Sequence, residues 1–145
     1  MATERSAHVQ WQGDLINGSG TIARVPSGAF GPLDVLWASR SEEPNGKTSP
    51  EELIAAAWAS CFAMALSSGL AKAGNPPERL ETSATVTFVP GTGITKSALT
   101  VVGHVPGIDE DSFKAAAEAA KDGCPVSGAL KGNVELTLDA RLAAE

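Results

Sequence analysis

From Leu53 to Ala71 the chain runs LIAAAWASCFAMALSSGLA, 19 residues without a charge. A stretch of that length and polarity is either a helix sunk in a protein core or a membrane span. This one is built from Ala, Ser and Gly more than from Leu, Ile or Val, and Glu51 and Glu52 abut it. It is too weakly hydrophobic for a bilayer, so it reads as the buried axis of a soluble core, with no membrane partner. Its start is marked by Ser49 as N-cap, Pro50 at the first helical position and Glu52 completing an S-x-x-E capping box. Its end falls near Lys72, where Gly74 and Asn75-Pro76-Pro77 break it. A chain of 145 residues reads as one domain, 1–145, with a single core. That core is too small to cover an all-apolar helix on every side, so a second copy is expected to cover the rest in a homodimer.

Strands flank the helix. His8 to Gln12 and Thr21 to Val25 form a hairpin around Asn17-Gly18, whose residues accept positive φ; GSGTIA lacks the third glycine of a dinucleotide loop. Phe30 to Ser39 alternates as a third strand, followed by the polar loop Ser41 to Lys47. Glu81 to Val89 and Ile94 to His104 are two more strands joined at PGTG. A helix from Asp109 to Asp122 follows, then a short helix opening at Pro125, then a strand from Asn133 to Leu142 with one apolar face. The pattern is α+β rather than βαβ.

The charge balance, 11 basic against 17 acidic residues, has no basic cluster, which argues against nucleic acid. MATERSAHVQ lacks the architecture of a signal peptide, so the cytoplasm is the expected compartment. There a pair of cysteines is catalytic, redox-active or simply buried, and two histidines without metal-ligand spacing predict no metal. Cys61, among alanines, is by itself a small buried hydrophobe whose thiol is inert unless a cation is brought to it. Cys124, at or beside a helix N-cap with Lys121 three residues back, suits a thiol that attacks or leaves, although a small residue also serves to pack a turn. Trp11, Trp37 and Trp58 read as core, and His104 as a surface residue.

SPEELIAAAWASCFAMAL and AKDGCPVSGAL resemble the two cysteine motifs of the OsmC/Ohr family, in the correct order with 62 residues between the cysteines. HVQWQGDLINGSGTI, ITKSALTVVGHVPGIDEDSF and VELTLDARL are similar to its remaining segments, and the WxGD start and VPGID are closer to the OsmC branch. Ser49 and Trp58 stand where the family more often has Asn and, in that branch, His. The resemblance implies a single OsmC-like domain with antiparallel sheets wrapped around a long buried helix, in an intertwined homodimer with active sites at the interface. It implies a cysteine-based peroxidase, active in oxidative and osmotic stress defence. Organic (alkyl or fatty acyl) hydroperoxides would be its substrates, and hydrogen peroxide a poorer one. Cys61 falls on the position of the attacking cysteine, Cys124 on the resolving one, and Glu51 and Arg40 on the glutamate and arginine of the site. No cofactor is expected, only an external dithiol or lipoylated protein as reductant. A non-enzymatic dimer holding a small apolar ligand, or other thiol chemistry on the same cysteines, are the competing readings.

If the helix is unbroken, the ten residues from Glu51 to Cys61 span about 15 Å along its axis. Either Glu51 serves the Cys61 of a partner chain, or the helix is broken or kinked between them.

Overall fold

In a computed structural model describing residues 1–144, the chain forms two units, Met1–Leu53 and the remainder from Ile54 onward. In the first, β1 (His8–Gln12), β2 (Ser19–Arg24) and β3 (Leu33–Val35) make an antiparallel sheet in that order. The β1–β2 turn is closed by Asp14, whose carboxylate accepts the Asn17 N–H at 2.7 Å and whose carbonyl accepts the Gly18 N–H at 2.9 Å. A side chain at Gly18 would collide with the carbonyls of Asp14 and Gln12, so the turn requires glycine there.

The third strand is shorter than the alternation suggested. After Val35 the chain turns into a short helix, α1 (Trp37–Ser41), instead of continuing extended to Ser39. The hydroxyl of Ser39 accepts the Leu36 N–H at 3.0 Å and that of Ser41 donates to the Trp37 carbonyl at 2.9 Å. These local bonds give the backbone partners that a strand ladder would otherwise supply, and a period of two over so few residues cannot reveal them.

Helix α2 (Pro50–Lys72) has the expected limits and is continuous. Ser49 Oγ accepts the Glu52 N–H at 3.1 Å, but the Glu52 carboxylate takes the Thr48 hydroxyl at 2.8 Å, so the reciprocal half of the capping box is replaced. At the far end Gly74, at φ +89°, donates to the Ala71 carbonyl and Asn75 to that of Leu70, a Schellman closure.

In the second unit, β4 (Arg79–Val89) and β5 (Gly93–His104) pair antiparallel, and β6 (Glu135–Leu142) joins β5 in parallel. The expectation of antiparallel sheets is therefore corrected here to a mixed sheet. The connection from β5 to β6 runs through α3 (Glu110–Gly123) and α4 (Pro125–Leu130), a crossover that brings the chain back in the direction it left. Trp58, Phe62, Leu66 and Leu70, four residues apart along α2, are buried with Leu99 and Val101 of β5 and Phe113 and Ala117 of α3. A Cβ at Gly103 would meet the Phe113 ring, so this glycine lets α3 lie close on the sheet.

A single chain buries only one stripe of α2. Ala56, Ala57 and Ser68 are exposed and Met64 is 72% exposed, because one sheet and one helix layer cannot surround the axis. By length and composition α2 could cross a membrane, yet Trp58, Phe62, Leu66 and Leu70 pack into this core.

Candidate active site

Cys124 sits where α3 ends and α4 begins. Its N–H donates to the Ala120 carbonyl at 3.0 Å and its carbonyl accepts the Gly128 N–H at 3.1 Å, so its backbone is fixed from both sides. Pro125 follows as the first residue of α4, as expected. The Cys124 side chain is buried and lies against the partly exposed Cys61 of α2, with 2.9 Å between the two sulfurs. Both are free thiols, with one S–H shared between them.

The two thiols are not equivalent. Burial pushes the Cys61 thiol above its ordinary value, and the hydrogen bond with Cys124 adds to the shift. Burial acts in the same direction on Cys124. There the polar surroundings, Cys61 first and then Ser127 and Val126, outweigh it and leave that thiol below its ordinary value. The cation that sequence placed near Cys124 acts elsewhere, since Lys121 Nζ pairs with Glu118 at 3.1 Å.

Ser127 was not foreseen as part of the site, although the C-P-V-S spacing is that of an N-cap and its N3 residue, which face each other across the first turn. Trp58 is core, as expected, but its indole N–H also donates to Ser127 Oγ at 2.7 Å.

In the first unit, Glu51 is buried at the head of α2 and holds Arg40 of α1. Arg40 Nε lies 2.9 and 3.2 Å from the two carboxylate oxygens, and a terminal guanidinium nitrogen lies 2.8 Å from Oε1. The pairing leaves the guanidinium a third exposed and fixed in orientation. It forms part of the wall of an apolar cavity of about 310 Å³ lined by Val9, Trp11, Ile22, Trp37 and Leu53 among others. Trp11 and Trp37 are thus cavity walls rather than core, and Trp11 is 41% exposed. The reason is that β1 is exposed along its whole length. His104 is a surface residue beside Arg79 and Glu81, with its Nε2 3.0 Å from the Arg79 guanidinium.

Of the four site residues expected from sequence, then, Cys61 meets Cys124 and Arg40 meets Glu51. The continuity of α2 removes the possibility of a break between Glu51 and Cys61, so the two stand about 15 Å apart along its axis.

The family model of OsmC-like proteins matches residues 43–139. The chain is 41% identical over 145 residues to Peroxiredoxin OsmC of Escherichia coli (strain K12), covering 98% of this chain and 99% of that protein. It is 30% identical over 109 residues to the organic hydroperoxide resistance protein OhrB of Bacillus subtilis (strain 168), covering 74% of this chain and 79% of that one. The crystal structure of Bacillus subtilis OhrB superposes with a TM-score of 0.72 at 24% identity over 94% of this chain and 98% of that one, a likeness of fold.

Proposed function

The chain belongs to the OsmC-like protein family, and from that premise we propose that it is a thiol peroxidase that reduces organic hydroperoxides to alcohols in stress defence. The observation that carries this is the pair of free thiols 2.9 Å apart, one partly exposed and one buried. Cys61 as thiolate attacks one peroxide oxygen. The O–O bond breaks, the alkoxide takes a proton and leaves as alcohol, and Cys61 becomes a sulfenic acid. Cys124 then attacks the Cys61 sulfur, hydroxide leaves with a proton as water, and a disulfide joins the two. An external dithiol, such as a lipoylated protein, returns the pair to thiols by exchange. The cysteines carry the chemistry without a prosthetic group.

Within one chain burial keeps the Cys61 proton on, so the reaction needs a cation. The Arg40–Glu51 pair supplies it from a second subunit, lowering the Cys61 pKa and donating to the peroxide oxygens. This reading makes the active unit a homodimer, with the exposed face of α2 covered by the partner. The apolar cavity beside Arg40 takes the alkyl part of the substrate, favouring organic peroxides over hydrogen peroxide. That the family match runs through Leu53 supports 1–145 as one domain.

The test is mass spectrometry after one equivalent of cumene hydroperoxide. A Cys61–Cys124 disulfide within one chain is expected, abolished by Cys61→Ser. Two unmodified thiols after that treatment would refute the reading.

A further inference from the structure

A cavity of about 240 Å³ lies in the unit that carries the cysteines, between the end of α3, the turn after α4 and the start of β6. None of its wall residues belongs to the cavity beside Arg40. The wall holds two lysines, Lys121 and Lys131, against one carboxylate, Asp122, together with the apolar side chains of Val134 and Leu136. Ser127, 3% exposed, completes it. The Lys121 side chain is only 17% exposed, although an ammonium is ordinarily left to water, and its Nζ has one carboxylate partner, the exposed Glu118. An ammonium has three N–H donors, so that pairing does not exhaust it. Lys131 makes no ion pair among the described residues. Because the Trp58 indole donates to Ser127 Oγ at 2.7 Å and cannot accept, the Ser127 hydroxyl keeps its own proton to give.

We propose that this cavity is a binding site for a small monocarboxylate with a short apolar tail. Charge sets the class: two ammonium groups against one carboxylate leave the wall a single positive charge, which a monoanion neutralises and a phosphate dianion, facing Asp122, exceeds. The donors of Lys131, Lys121 and Ser127 suit the acceptor-only oxygens of a carboxylate, and Val134 and Leu136 cover its chain. Size sets the length. The volume is below the roughly 300–1,000 Å³ of sites for drug-sized molecules, which limits the tail to a few carbons. Because Glu118 claims part of the Lys121 charge, Lys131 carries the larger share of the binding. Ser127 joins the site to both cysteine-bearing elements, since it lies in the first turn of the helix that starts after Cys124 and is bonded to Trp58 of α2. Neither sulfur takes part in the binding, and the inference stands apart from the peroxidase reading.

The test is an NMR titration of the full chain with sodium isovalerate at fixed pH and ionic strength, following the backbone amides. A saturable shift of the Lys131, Gly132, Val134 and Leu136 amides is expected, with a Kd of about 1 mM at the efficiency of good small ligands. Lys131→Gln weakens binding about tenfold, the scale of one hydrogen bond to a charged group, Lys121→Gln weakens it less, and Lys131→Arg, which keeps the charge, restores it. Isoamyl alcohol, which has the same branched tail without the charge, and inorganic phosphate each bind about tenfold more weakly than isovalerate. Shifts that fail to saturate by about 10 mM overturn the proposal, and so does a Kd unmoved by Lys131→Gln. Isoamyl alcohol or phosphate binding as tightly as isovalerate overturns the monocarboxylate assignment. Lys131 is exposed, so its variants keep the fold, which the amide spectrum outside the cavity checks directly. No peroxide or reductant enters the titration, so its failure is separate from a failure of the peroxidase reading.

Discussion

Mixing two inactive variants measures whether the active site crosses the subunit boundary. Cys61→Ser removes the attacking sulfur. Glu51→Ala removes the carboxylate that accepts both bonds from Arg40 Nε and so alters how the guanidinium is held. Loss of one preoriented donor to a developing charge costs about 10²–10³ in rate, so each variant alone is nearly silent. Helix α2 runs unbroken from Pro50 to Lys72 and separates Glu51 from Cys61 by about 15 Å along its axis, so the proposal has each glutamate serve its partner's thiol. Random assortment of equal amounts makes about half the dimers mixed. Each mixed dimer holds one site with an intact thiol from one chain and an intact glutamate from the other. The expected recovery is about one quarter of wild-type turnover with cumene hydroperoxide, after mild denaturation and refolding together to exchange subunits. Recovery no greater than the mean of the separate variants would refute the two-subunit reasoning, provided that tagged pull-down shows mixed dimers present.

Trp11→Ala opens the wall of the apolar cavity and is expected to raise KM for cumene hydroperoxide about tenfold or more, from the lost aromatic burial, while hydrogen peroxide turnover stays within twofold. Equal losses on both substrates would contradict the assignment of the cavity. Arg40→Gln removes the cation opposed to the burial that pushes the Cys61 thiol up, so the pH–rate profile for Cys61 oxidation moves to higher pH, read by stopped-flow across a pH series. A profile displaced to lower pH, or unmoved, is incompatible with that role. Gly103→Ala forces a Cβ against the Phe113 ring and should destabilise the fold by about 1–3 kcal/mol in urea unfolding, with the dithiol reaction retained in the folded fraction.

Features signalled by neighbouring residues were legible in the sequence. Ser49, Pro50 and Gly74 bound α2, and Pro125 starts α4 one residue past Cys124, because caps and breakers act within a turn of where they stand. The helix over Trp37–Ser41 was not legible, since the hydroxyls of Ser39 and Ser41 decide it against an alternating pattern. Nor was the parallel seating of β6, which depends on where a crossover delivers the strand rather than on the strand's own residues. At the site, the two motifs identified the cysteines, and the family resemblance rather than any local pattern singled out Arg40 and Glu51. Ser127 and Trp58 were missed because their bond joins positions 69 residues apart, a distance at which no periodicity operates. Lys121 was misjudged for the converse reason: proximity in sequence said nothing of the glutamate one turn earlier that claims its charge.

The short gap between the two sulfurs has a consequence for survival under heavy oxidant load. A disulfide needs about 2.05 Å between sulfur atoms, so closing the pair from 2.9 Å asks for less than about 1 Å of movement. No helix has to unwind, because Cys124 is already held in place by its own backbone bonds. A newly formed sulfenic acid at Cys61 is then captured before a second peroxide can carry it to the irreversible sulfinic state. The oxidant concentration at which the protein is permanently lost should accordingly be set by the supply of reductant rather than by the lifetime of its most fragile intermediate.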